Sequence, residues 1–254
     1  LGWGVGGVAV ATLIAEWSGA ALGLWLCRPA FRHPDWRSAA RVFHRAAMLR
    51  MAAVNGDILL RSVLLQGCFI AFMFLGAGFG DVTLAANQVL LQFLHITAYA
   101  LDGFAFSAEA LAGQAVGARA RATFRRASLL SSLWGLGCVA VLALGFALGG
   151  GLLIDLMATD PAVRAAARAH LPWMVAAPLA GLAAWMLDGI FIGATATRDM
   201  RNAMILSVAV FAVAAAALIP PFGNHGLWAA MEIFFLARGV TLGLRYPALE
   251  RGLA

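Results

Sequence analysis

Residues 84–117, LAANQVLLQFLHITAYALDGFAFSAEALAGQAVG, make an apolar segment that lipid alone would leave greasy on every side. Yet Gln88, Gln92, His95, Tyr99, Asp102, Phe106 and Glu109 recur in it at spacings of 4, 3, 4, 3, 4 and 3. On an α-helix that spacing places all seven on one face. From Gln88 to Glu109 such a helix rises roughly 31 Å, the hydrocarbon thickness of a bilayer. One helix therefore carries a polar stripe, two carboxylates included, from one side of a membrane to the other. A charged side chain at that depth is costly and faces a watery cavity or a partner, so the stripe is a functional candidate from the outset.

The remaining chain reads as the surroundings of that stripe. Hydrophobic residues are 63% of 254 positions, charged residues 12%, and the mean hydropathy is +0.87. A soluble domain carries about twice that share of charge. The basic residues are 18 arginines without a lysine, giving a net charge of +6. In a polytopic membrane protein such an excess marks cytoplasmic loops, so it is read as topology and no nucleic-acid partner is expected. Cys27, Cys68 and Cys138 are too far apart for a disulfide framework or a metal pattern and are read as small core residues. Leu1 opens inside an apolar run without a charged n-region, so no signal peptide is read and further spans are expected upstream.

Seven spans follow from hydropathy: residues 2–26, 58–80, 84–117, 127–154, 171–195, 203–219 and 226–244. The GxGxxG at Gly2, Gly4 and Gly7 has no strand before it, so the dinucleotide reading fails. Between the first two spans, residues 28–54 hold six arginines against Asp35. With Asp35 as cap, Arg37, Arg41 and Arg45 share a helix face opposite Val42, Ala46 and Leu49. That pattern suits a basic amphipathic linker on an anionic membrane surface, or equally a solvated charged connection. Alternate connections hold six, four, two and three arginines, the last including Arg238, while those between are neutral or balanced. Seven spans and the positive-inside rule thus agree, with the Arg-rich side cytoplasmic in the cell inner membrane.

GxxxG pairs at Gly19/Gly23, Gly113/Gly117, Gly145/Gly149 and Gly189/Gly193 permit close helix approach. Pro178 frees a backbone carbonyl that is expected near Asp188, as in the broken helices of transporters. Six acids lie in or beside spans: Glu16, Asp57, Asp102, Glu109, Asp188 and Glu232. Asp102, Glu109 and Asp188 are candidate proton or substrate sites, joined by Gln88, Gln92, His95 and Tyr99. Asp57 and Arg61, four apart, are expected to pair as a structural or coupling ion pair. Glu16 and Glu232 are further intramembrane acids, each open between helix packing and function. His95 has no second His or Cys at ligand spacing, so no metal site is expected. No HExxH, GxSxG or P-loop pattern occurs, and an enzyme is not expected.

NGDILLRSVLLQ (55–66), LAANQVLLQF (84–93), ALDGFAFSAEALAGQAVGA (100–118), LDGIFIGATATRDMRNAM (187–204) and FGNHGLWAA (222–230) resemble the MATE family of multidrug and toxic-compound extrusion transporters. They come nearest to its DNA-damage-inducible F (DinF) branch. The resemblance implies an all-α polytopic fold of two six-helix lobes. Residues 1–27 would be the last helix of the N-terminal lobe, 28–54 the inter-lobe linker and 55–254 the six-helix C-terminal lobe. It further implies export of organic cations and amphipathic drugs by antiport, without a cofactor beyond the coupling ion, and with an N-terminal lobe of the same polypeptide as partner. Other branches place cation-binding carboxylates on the seventh and tenth helices. Asp188 corresponds to the tenth, whereas Asp57 stands nearer the membrane edge than the seventh-helix acid, so H⁺ is expected ahead of Na⁺. Two other readings are a lipid or lipid-linked precursor flippase, which predicts a basic cavity, and a non-transporting membrane scaffold with a dry stripe. The mainly acidic spans count against the flippase.

Overall fold

The computed structural model describes residues 4–32 and 43–253, and the chain divides into two compact units, Leu1–Ala53 and Val54–Ala254. The cap at Asp35 and the face formed by Arg37, Arg41 and Val42 lie outside the described residues. Among the described residues seven helices are each long and apolar enough to cross a membrane: α1 (Gly4–Cys27), α2 (Arg45–Ala77), α3 (Asp81–Gly117), α4 (Arg121–Met157), α5 (Pro161–Gly193), α6 (Thr197–Phe222) and α7 (Asn224–Arg251). No strand occurs among the described residues. The first unit contains α1, a 3₁₀ turn at Ala30–Arg32 and the opening turns of α2.

All seven expected spans exist, but most of the helices run past them. Arg45 and Arg50 belong to the first turns of α2, so from Arg45 onward the basic linker continues into that span as one helix. Arginine has high helix propensity, and nothing between Arg45 and Ile58 breaks the backbone pattern. At the other end, α6 runs through Pro220 and Pro221 to Phe222. Proline already holds a helical φ, and in the last turn its missing N–H and ring crowding are absorbed without ending the helix; the stop comes at Gly223, whose φ is 55°. Asp160 caps α5, accepting from the Ala162 amide at 2.7 Å, with Pro161 in the first helical position. Arg164 closes the preceding helix by donating to the Ala158 carbonyl at 2.7 Å and the Asp155 carbonyl at 3.1 Å.

In the second unit α3 packs on α4 and α5, α5 also on α4 and α7, and α6 on α7. The α3–α5 crossing is built from small residues. A Cβ added at Gly189 would stand 2.4 Å from the Ala105 carbonyl oxygen, and one at Gly193 would stand 2.2 Å from that of Glu109. Gly113 faces the Gly193 carbonyl in the same seam. Gly19, Gly23, Gly117, Gly145 and Gly149 meet nothing, so only part of the GxxxG pattern is used. The core centres on an aromatic cluster, with Phe72 edge-on to Trp228 at 4.5 Å and Phe93 edge-on to Phe146 at 5.0 Å. Much of the outer surface is greasy, as lipid-facing helices require: Leu148 and Trp134 of α4 are 82% and 71% exposed. Of the cysteines only Cys68 is in the core; Cys138 is half-buried and Cys27 exposed.

Candidate functional site

The stripe lies on the face of α3 that the second unit leaves largely uncovered. Small residues occupy its other side, with Ala105, Ala108, Ala112 and Ala115 buried. Gln88, Gln92, His95, Tyr99 and Phe106 are exposed, Tyr99 by 74%, and Asp102 and Glu109 are half-buried. His95 stacks on Tyr99 at 6.4 Å. Neither Asp102 nor Glu109 has a hydrogen bond or an ion pair among the described residues.

A cavity of about 590 Å³ lies between α2, α3, α5 and α7. Of the stripe, Gln88 and His95 line it; Gln66, Trp185, Phe235 and Arg238 complete its more distinctive wall. Asp102, Glu109 and Asp188 are not among its lining residues. Asp188 sits instead in a buried charge network. Arg61 and Arg238 both donate to its carboxylate, Arg238 through Nη2 at 2.5 Å. Arg238 is 2% exposed, and its guanidinium lies over the Phe234 ring at 5.5 Å.

The expected pair between Asp57 and Arg61 does not form. Asp57 is held by Arg201 at 2.6 Å and by the Thr197 hydroxyl at 3.1 Å, both on α6. The i,i+4 rule applies to exposed helix surfaces; here both side chains turn into the bundle, where tertiary partners offer dry, charge-assisted bonds. Arg238 also leaves the C-terminal loop in which it was counted, since it lies near the middle of α7. Pro178 does not break α5, which is continuous. The carbonyl it frees is that of Met174, about 21 Å along the axis from Asp188. Glu232 is buried, with both carboxylate oxygens unpartnered among the described residues, and Glu16 is exposed.

These assignments alter the charge of the interior. Two of the six span acids are neutralised by arginines of other helices, and the cavity presents an arginine without a carboxylate among its lining residues. The acidic composition of the spans therefore does not count against a ligand of negative charge. A second polar cluster was not singled out as a site from the sequence. Asn87 and Asn224 exchange reciprocal side-chain bonds at 2.8 and 3.0 Å, and Trp228 Nε1 donates to Asn87 Oδ1 at 2.9 Å. At the same end of the bundle His170 stacks on His225 at 4.2 Å, and Trp173 Nε1 donates to His225 Nδ1 at 3.0 Å. At the opposite end Arg121 meets Glu250 and Arg245 meets Asp199, so the Arg-rich connections of this unit gather together. Asp155 balances Arg168 at 2.5 Å, leaving its connection without surplus charge.

The MatE family model matches residues 58–218. DNA damage-inducible protein F of Escherichia coli is 39% identical over 245 residues, covering 94% of this chain and 52% of that protein. The chain thus spans about half the length of this curated relative. In fold it is similar to the Vibrio cholerae MATE transporter VcmN in its bent form, with a TM-score of 0.80 at 17% identity over 92% of this chain and 54% of that one. A MOP superfamily transporter from Pyrococcus furiosus, described by a reverse polarity of its binding pocket that suggests a different function, gives 0.69 at 16% identity over 79% and 44%. Members of the family are transporters and not enzymes. The family match across more than half of the chain, together with seven apolar helices, places it: this chain belongs to the MatE family of membrane transporters.

Proposed function

We propose that the protein acts in secondary active export of amphipathic organic compounds, organic cations foremost, in exchange for protons by alternating access. Asp102 and Glu109 carry this reading: two carboxylates on a membrane-spanning helix, half-buried and without an ionic partner among the described residues. A carboxylate in that setting exchanges between a protonated form that tolerates a dry surface and an ionised form that attracts a cation. Gln92 and Tyr99 on the same face offer a hydrogen-bonding amide and a ring for stacking. The transporting unit includes a second lobe, in keeping with relatives about twice this length. The Arg-rich end faces the cytoplasm across the inner membrane.

The test is Asp102→Asn combined with Glu109→Gln, followed as efflux of a fluorescent organic cation across a range of pH. The proposal expects export to fall at least about tenfold and its pH dependence to flatten. Unchanged efflux with an unchanged pH profile would remove the stripe from the mechanism. One observation favours lipid-linked or other anionic cargo as a second reading, namely the arginine in the lobe cavity.

A further inference from the structure

We infer that the cavity between α2, α3, α5 and α7 binds the anionic head of an amphipathic molecule, at a site that shares Gln88 and His95 with the stripe but neither of its carboxylates. Its volume of about 590 Å³ is that of a small-molecule site. Leu65, Phe69, Trp185 and Phe235 make the walls apolar, while Gln88 and Arg238 supply polar groups. Arg238 Nη2 is satisfied by Asp188, but its Nε and Nη1 have no partner among the described residues. Buried donors left in that state are rare and costly, and an absent acceptor is the simplest reason for them.

The charge count points the same way. Arg61 shares the single Asp188 carboxylate, and its own Nε is also unpartnered. Among the described residues no other carboxylate lies within ion-pair distance of either arginine. Two guanidinium groups against one carboxylate leave one positive charge in excess beside an apolar chamber. The Phe234 ring under Arg238 compensates only in part. A carboxylate, sulfonate or phosphate entering the cavity meets the Arg238 guanidinium on its wall and cancels the excess. A cation of the same size meets a like charge. The apolar walls call for a hydrocarbon body on the anion, which a simple inorganic ion lacks. Free anionic amphiphiles and acidic lipids share this chemistry.

The assignment goes beyond proton-coupled export and survives its failure, because the test is a binding measurement. Calorimetry on the protein in phosphatidylcholine nanodiscs, corrected for empty nanodiscs, compares decanesulfonate with decyltrimethylammonium. The sulfonate is expected to bind at least about tenfold more tightly than the ammonium. Arg238→Gln is expected to weaken the sulfonate at least about tenfold. Ala98→Phe, which projects a ring into the cavity and leaves every charge in place, is expected to weaken it too. Asp102→Asn with Glu109→Gln leaves sulfonate binding unchanged. Equal affinity for both amphiphiles, or sulfonate binding that survives Ala98→Phe, overturns the assignment, even where Arg238→Gln fails to fold. Nanodiscs containing phosphatidylglycerol then identify the source. Displacement of the sulfonate assigns the site to an acidic lipid, its persistence to a free amphiphile, and both support an anion site.

Discussion

At the residue scale the decisive objects are buried charges shared between helices. Asp188 holds two arginines, so removing it leaves two like charges facing each other without a counterion. Asp188→Asn is therefore expected to cost roughly 3–5 kcal/mol, the range for breaking a buried ion pair from one side. Arg61→Met is expected to cost much less, because Asp188 and Arg238 then balance one to one. Adding Arg61→Met to Asp188→Asn should recover part of the loss, a non-additivity that thermal unfolding in detergent will read directly. The Asn87 cluster makes a neutral counterpart. Asn87→Leu strands the Asn224 amide and the Trp228 N–H, at about 1–3 kcal/mol for each group left unpaired. None of these partnerships was legible in the sequence. They join residues 50 to 144 positions apart, whereas helical periodicity relates charges only one turn apart. A mid-span arginine and a span aspartate each demanded a partner, but composition does not say which.

At the element scale, the helices were legible and their ends were not. Apolar runs identified all seven, because lipid leaves a spanning backbone few alternatives to helix. Most ends moved outward, because arginine and an N-terminal proline continue or start a helix as readily as an apolar residue does. The stripe was legible as well, since periodicity is a property of one helix; the uncovered face it occupies was not, since that depends on neighbours. The seam between α3 and α5 is where the fold is least forgiving. Gly193→Ala would drive a methyl into the Glu109 carbonyl and is expected to abolish or severely impair folding, while Gly19→Ala on α1 meets open space and should change the unfolding temperature little. Two hairpins at the Arg-rich end share a design. Arg119 and Thr195 sit between alanines at φ 50° and 56°, and in each the third residue of the turn donates back five residues at 2.9 Å. Left-handed backbone suits glycine better than either side chain, so Arg119→Gly and Thr195→Gly are each expected to stabilise by roughly 1 kcal/mol in the same unfolding assay.

At the scale of the whole molecule, two features of opposite charge occupy the second unit: a carboxylate stripe on the uncovered face of α3 and an arginine on the wall of an apolar cavity. The proposed export gives the stripe a role, and the proposed anion site gives the cavity a different one. Proton exchange at the stripe makes the pH gradient the driving force for export. The full transport protein in proteoliposomes should export a fluorescent organic cation under an imposed pH gradient and not under an Na⁺ gradient of equal size. Export driven by Na⁺ alone, with the pH gradient silent, would contradict the account.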